Sequence, residues 1–383
     1  MIPKMILKTT VVIWGKDNYN VLGLLRQLVP FVKQVVVMVH KEKCKCATWS
    51  KYCSKYVVVH SRDEGFEYLM TLATSLTEKG FVITTNDTLA EYIDYHYDAL
   101  SQYYHLTGTI KQGLLSRMQS KEEMCKLAQE IGFNVPKTFA LKPDTDINEF
   151  CFPSVIKPIK QTANVHKRFK FICVNDVPEA ETFKQELKED DNYLVQQYVE
   201  REEEYLMYGC RLSNGKVVVP GAIIKDRWHH GKVVQEIPPT VDITLMQRFL
   251  EKIEFFGLFS FEFGLMRGKA YFFEVNLRND GTSLYYYLSG ANMPLLWVSG
   301  FYNREEEVPC KVTKDNYFVD GIGDLPNVFC GEITYKQWRK DVRNADIYRH
   351  YDRKDWKPFL GTALHHIPRQ LALWVLGRYK KKD

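Results

Sequence analysis

The residues of this chain best suited to chemistry lie close together in Phe259–Arg278, FSFEFGLMRGKAYFFEVNLR. Strand alternation puts Phe259, Phe261, Phe263 and Leu265 on one face and Ser260, Glu262 and Gly264 on the other. In the second half Tyr271, Phe273, Val275 and Leu277 share a face, and Glu274, Asn276 and Arg278 share the opposite one. A hairpin centred on Gly268 sets Glu262 directly across from Glu274, each six residues from the turn. Opposed Cβ atoms are about 4.5–5.5 Å apart, where like charges destabilise a sheet. Two carboxylates so placed need a cation between them. An all-oxygen set of Glu262, Glu274 and Asn276 suits Mg²⁺ (or Mn²⁺), which shares its ligands with phosphates. Arg278, next on that face, is placed to meet a phosphate or a reacting oxyanion. The competing reading leaves both glutamates facing solvent on a half-exposed sheet.

Such a hairpin must be held by a larger scaffold, and the preceding pattern describes one. Thr10–Ile13, Gln34–Val39, Tyr56–His60 and Phe81–Thr85 are apolar runs, with helical spacing over Val21–Leu28 and Glu64–Lys79. Buried Val- and Ile-rich runs separated by helices predict a parallel sheet with right-handed crossovers. Neither G-x-G-x-x-G nor G-x-x-x-x-G-K-[ST] occurs, so dinucleotide and P-loop readings fall away. A helix over residues 120–131 has Ser120 and Glu123 as a capping box, a Met124/Leu127/Ala128/Ile131 stripe and Gly132 as its stop. Pro153–Lys157 and Lys170–Val174 read as paired strands, Tyr193–Val199 as another, and Asn214-Gly215 as a hairpin turn. Thr244–Phe256 has helical spacing with a stop at Gly257, and Gly281-Thr282-Ser283 reads as a helix cap able to present N–H groups to an anion.

Composition narrows the function classes. Against 52 Lys and Arg stand 47 Asp and Glu, and a net charge of +5 on 383 residues is too weak for a dedicated nucleic-acid binder. At about 150 residues per domain, the chain has room for two or three cores. No apolar run reaches the roughly 18–20 residues of a membrane helix, and Met1–Thr10 carries no signal core, so a cytoplasmic location is expected. Nine scattered cysteines do not form a disulfide framework. Cys44-x-Cys46 with Cys53 falls short of a zinc spacing and reads as reduced thiols. The terminal segment, with Leu364, Ile367, Leu371, Trp374 and Val375 ahead of Arg378 and Lys380–Lys382, has two readings. One is a helix docked on the catalytic domain, and the other a helix lying peripherally on the inner, anionic membrane face.

On the hairpin residues and the motifs before them, the chain resembles the ATP-grasp superfamily of carboxylate–amine ligases over roughly residues 110–300, including its D-aspartate ligase and carbamoyl-phosphate synthase large-chain branches. The resemblance implies an α/β fold: a parallel-sheet domain over 1–108, a two-lobed ATP-grasp domain over 109–310 with a lid near 151–225, and a C-terminal extension over 311–383. It assigns Lys121, Lys157 and Lys170 to ATP phosphates, the hinge Gln196, Gln197, Tyr198 and Val199 to adenine, and Glu203 or Glu204 to the ribose. Mg²⁺ (or Mn²⁺) falls to Glu262, Glu274 and Asn276, and the acyl-phosphate oxyanion to Arg278. Lys225 and Arg227 are candidate phosphate contacts, with a solvated charge cluster as the alternative. The family's phosphate loop is usually glycine-rich, whereas 159–169 has no glycine and offers Lys160, His166, Lys167 and Arg168 as a mobile cationic lid. The implied activity is ATP-dependent C–N ligation, joining an amino acid to a cell-envelope or polysaccharide precursor; the alternative is an ATP-binding scaffold with weak turnover. Expected partners are ATP and small carboxylate and amine substrates, with no nucleic acid. A homodimer and a weak membrane-surface contact stay open.

Overall fold

The computed structural model describes residues 6–40, 44–159, 163–167, 169–227 and 229–376. The first hundred or so form β1 (Leu7–Gly15), α1 (Tyr19–Leu28), β2 (Val32–His40), β3 (Tyr56–Val59), α2 (Arg62–Ala73), β4 (Gly80–Thr84), α3 (Asp87–Tyr95), α4 (Tyr97–Leu100) and β5 (Tyr104–Leu106). The five strands are parallel in the order β3-β2-β1-β4-β5. Val11 to Trp14 of central β1 are wholly buried, which is why that strand reads as a continuous apolar run. Strand order reverses between β1 and β4, which opens a crevice beyond their C-terminal ends. Asn18 and Asn86 cap α1 and α3 at that crevice. Helix α2 stops at Ala73 rather than Lys79, because the Thr74 and Ser75 hydroxyls donate to the Thr71 and Leu72 carbonyls.

Connecting elements β6 (Gly108–Thr109), α5 (Leu114–Met118) and α6 (Lys121–Ile131) lead to a small antiparallel sheet. The α6 stripe is buried and Gly132 ends the helix at φ +112°. The expected capping box does not form. Glu123 pairs with Arg117 at 2.7 Å, and the Lys121 N–H donates to the Ile159 carbonyl at 3.1 Å, so a tertiary partner serves the helix end. The small sheet comprises β7 (Thr138–Leu141), β8 (Ser154–Pro158), β9 (Ile172–Val174) and, after α7 (Val177–Gln185), β10 (Tyr193–Gln197), in the order β7-β10-β8-β9. This lobe thus runs from Thr138 to Gln197, starting and finishing earlier than the expected 151–225.

The large sheet holds β11 (Glu203–Arg211), β12 (Val217–Val218), β13 (Ala222–Arg227), β14 (His230–Val234), β15 (Phe255–Met266) and β16 (Lys269–Asn276), with α8 (Ile243–Lys252) before β15. After α9 (Ser283–Leu288) and α10 (Met293–Gly300), the chain adds β17 (Asn316–Val319), α11 (Leu325–Phe329), α12 (Tyr335–Asn344), β18 (Ile347–Tyr348) and α13 (Lys357–Val375). Strand order is β16-β15-β11-β13-β14-β17-β18, so the extension is built into the same sheet. Helix α8 ends at Lys252, short of the expected Phe256: Glu254 turns at φ +49°, and Phe255 and Phe256 pair with β6 instead. Gly257 is therefore a strand residue, at φ +120°, where a Cβ would meet Thr107 at 2.8 Å.

Candidate active site

The β15–β16 hairpin does oppose Glu262 and Glu274, but not by the simple count. Its turn consists of Arg267 and Gly268, at φ +50° and +72°, and Met266 pairs with Lys269. That register would set Glu262 against Phe273. A bulge after Glu262 shifts the pairing by one, restores Glu262 to Glu274, and sets Ser260 against Asn276. It also reverses the alternation: Ala270 and Phe272 are buried before it and Val275 and Leu277 after it. The expected face of Tyr271, Phe273, Val275 and Leu277 is thereby corrected.

The chain supplies a cation of its own beside this pair. Lys225 lies 3.1 Å from the Glu262 carboxylate and 2.7 Å from that of Glu204. Burial, with Glu274 and Glu204 adding to it against the pull of Lys225, pushes the Glu262 carboxyl up to about 7. For Glu204, burial also acts upward, but Lys225 and Arg201 outweigh it and hold the carboxyl below the usual range. Lys157 donates to Gln196 Oε1 at 2.8 Å. Its burial, opposed by Glu274 and reinforced by Lys121, brings its ammonium down to about 8. Burial lowers Lys170 as well. Lys121, Lys157 and Lys170 thus converge on the Glu274 side, drawn from a helix N-terminus, a strand end and the segment before β9.

A cleft of ≈ 350 Å³ is walled in part by Lys121, Lys170, Glu262, Glu274, Asn276 and Arg278. Its other wall is the crevice beyond β1 and β4, with Asn18, Tyr19, Asn20, Thr85 and Asp87. Sequence reasoning did not single these five out; the signal available was their place after the first and fourth apolar runs, at the reversal of strand order. Arg278 joins the two walls. It donates to Asp87 at 2.6 Å and to Asn276 Oδ1 at 2.9 Å, and Asp87 holds its guanidinium above the ordinary arginine value despite burial. Asn279 is wholly buried, accepts from Tyr208 at 2.7 Å and donates to Asn20 at 2.5 Å, which fixes the parallel-sheet domain to the hairpin.

Other expected residues sit elsewhere. Arg227 is turned away to Asp324 and Asp341, at 2.6 and 2.7 Å, and does not line the cleft. Glu203 accepts from the Tyr205 hydroxyl. At the hinge, the Gln197 and Tyr198 N–H groups already donate to the Lys137 and Pro153 carbonyls, and Val199 is buried. In the expected lid, Lys160 and Arg168 lie outside the described residues. His166 pairs with Asp191, Lys167 with Glu186, and Phe169 stacks on Tyr193 at 5.4 Å, so this end of the loop is pinned to its own lobe. The Thr282 N–H expected to meet an anion donates instead to Asp280 at 2.8 Å. Cys44 lies 3.7 Å from His366, and among the described residues no cluster of metal-ligating type includes the cysteines.

No protein-family model matches the chain, and no curated protein matches it in sequence. Solved structures match its fold. The ADP complex of an N5-carboxyaminoimidazole ribonucleotide synthetase is 15% identical, covers 86% of this chain and 86% of its own, and gives a TM-score of 0.65. An L-amino acid ligase from Bacillus licheniformis is 14% identical, with 81% and 79% covered and a TM-score of 0.62. A carboxyaminoimidazole ribonucleotide synthase from Aspergillus clavatus, complexed with ATP, is 10% identical, with 82% of each chain covered and a TM-score of 0.61. At such identities the likeness is one of fold. The chain has the ATP-grasp fold of these ligases over most of its length.

Proposed function

We propose that the protein is an ATP-dependent ligase that activates a carboxylate as an acyl phosphate for attack by an amine. One observation carries this: Glu262, Glu274 and Asn276 share a sheet face that lines one cleft with Lys121 and Lys170, and that cleft continues into a second crevice fit for a small substrate. The ATP and ADP held by the structural neighbours support the same nucleotide here.

The oxygen-only donor set fits Mg²⁺ (or Mn²⁺), since Glu262 and Glu274 face each other with Asn276 two residues on. Glu262, Glu274 and Asn276 would hold the ion, which would neutralise charge between phosphate oxygens. Lys121, Lys157 and Lys170 bind the triphosphate, and Lys225 keeps Glu262 oriented. The crevice of Asn18, Tyr19, Asn20 and Thr85 orients the substrate carboxylate. Its oxygen attacks the γ-phosphorus as the bond to the bridging oxygen breaks and ADP departs. Arg278, braced by Asp87, absorbs charge on the acyl phosphate. The amine then attacks the acyl carbon, phosphate leaves, and the nitrogen gives up a proton.

The finer reading joins an amino acid to a cell-envelope or polysaccharide precursor, and rests on the resemblance to D-aspartate ligases. The test is ADP release in a screen of amino acids and sugar acids with amines. Release that needs both a carboxylate and an amine supports the ligase. Binding of Mg-ATP with no release for any pair would favour the ATP-binding scaffold.

A further inference from the structure

Helix α13 is half embedded and half bare. Its first turns are buried at Pro358, Gly361 and Thr362, where a Cβ on Gly361 would meet the Lys45 carbonyl at 2.3 Å. Asp355, just before it, is locked to Arg26 at 3.1 Å and accepts from Ser50 at 2.7 Å. Further along, Gln370 donates to the Ile322 carbonyl at 3.2 Å, and Trp374 packs against Phe329 at 5.5 Å. The base is therefore held by the parallel-sheet domain and by the extension itself, not by the catalytic domain on which it was expected to dock.

Among the described residues, nothing covers the opposite face. Leu360, Leu364, Leu371 and Val375 recur at helical spacing, and Leu364, Trp374, Val375 and Leu376 are 62, 51, 76 and 63% exposed. A soluble surface rarely leaves such a stripe bare without a partner. Charge identifies the partner. Of the chain's 52 basic and 47 acidic residues, eight and three fall within 351–383, so the whole excess of five positive charges lies in this segment. Asp355 is among those three and is already paired, while Lys357 precedes the stripe and Arg378, Lys380, Lys381 and Lys382 follow it in sequence. A second copy of the helix would set like charges against each other, whereas an anionic surface neutralises them. Trp356 and Trp374, both about half exposed, suit the boundary between headgroups and acyl chains.

We propose that the outer face of α13 docks on an anionic lipid bilayer, lying in the headgroup plane rather than spanning it. No helix among the described residues is long and apolar enough to cross a membrane. Depth comes from the Leu and Trp stripe and selectivity from the flanking cations, so both should be necessary. The proposal does not depend on the ligase reading.

The test is co-sedimentation of the full chain with phosphatidylcholine vesicles, with and without phosphatidylglycerol. Binding should appear only with phosphatidylglycerol and should fall tenfold or more as salt rises to molar levels. A Leu371→Asp, Val375→Asp variant should lose at least tenfold in vesicle affinity with an unchanged melting temperature, since both side chains point away from the body. Replacing Lys380, Lys381 and Lys382 with Gln should weaken binding to anionic vesicles and leave folding intact. Equal binding to both vesicle types, no binding to either, or full binding by the Asp variant would each overturn the proposal. So would a sedimentation-velocity dimer that the Asp variant dissolves, if vesicles fail to bind.

Discussion

Lys225 and Arg227 are two residues apart on β13, yet they enter opposite kinds of charge cluster on the same sheet. Arg227 meets Asp324 and Asp341, and although burial acts against it, these carboxylates hold its guanidinium above the ordinary value. Nearby, burial alone would raise Asp320, but His350, Arg349 and His229 keep it well below the carboxylate range. Each charge in that group is matched. Two residues earlier, Lys225 is shared by Glu204 and Glu262, and Glu262 is still pushed up to about 7, while Lys157 is brought down to about 8. Similar burial thus produces stability in one place and unmet charge in the other. Unmet buried charge is what a metal and a polyphosphate would satisfy, and such perturbed groups concentrate at functional sites.

The comparison can be broken most sharply at Arg227. An Arg227→Met variant leaves two buried aspartates without their cation and should lose about 3 kcal/mol of stability, read as a lower urea midpoint. Unchanged stability would mean that the two clusters do not differ in kind. Next is Glu274→Gln, which should lower ADP formation about 100–1000-fold, with a melting temperature equal to or above that of the parent. Retained activity at ordinary Mg²⁺ would remove Glu274 from the metal site.

Ligand binding should then close the gap between the clusters. Mg-ATP at about 100 times Kd stabilises by ~2.7 kcal/mol, a rise of several degrees in melting temperature. GTP should give less if the hinge discriminates adenine, and no rise with any nucleotide would sink the site. The smallest effect concerns pH. Lys157 titrates near 8 when folded and near the ordinary lysine value when unfolded. Between those values the folded state binds fewer protons, so this group's contribution to stability rises with pH across that window. Phosphate contact restores its proton, and affinity for Mg-ATP should therefore weaken as pH rises past about 8, measured by calorimetry. Lys157→Met should flatten that dependence, and a parent profile already flat would place the phosphate elsewhere.

Much of this molecule was legible in one dimension. The alternating strands and helices of the first domain, the α6 stripe with its Gly132 stop, and the acidic hairpin each depend on periodicity within a dozen residues, which the chain carries locally. Those features set the fold class, and the hairpin named Glu262, Glu274, Asn276 and Arg278, which line the cleft. Other properties depended on neighbours remote in sequence. The bulge that keeps Glu262 against Glu274 follows from ladder register, and the bond from Arg278 to Asp87 from the docking of two domains. Ser120 lost its cap to Ile159, and Lys167 turned to Glu186. A side chain's type states which partners it can accept. Which partner it obtains is decided by the distances that folding leaves between them, and only the tertiary structure sets those.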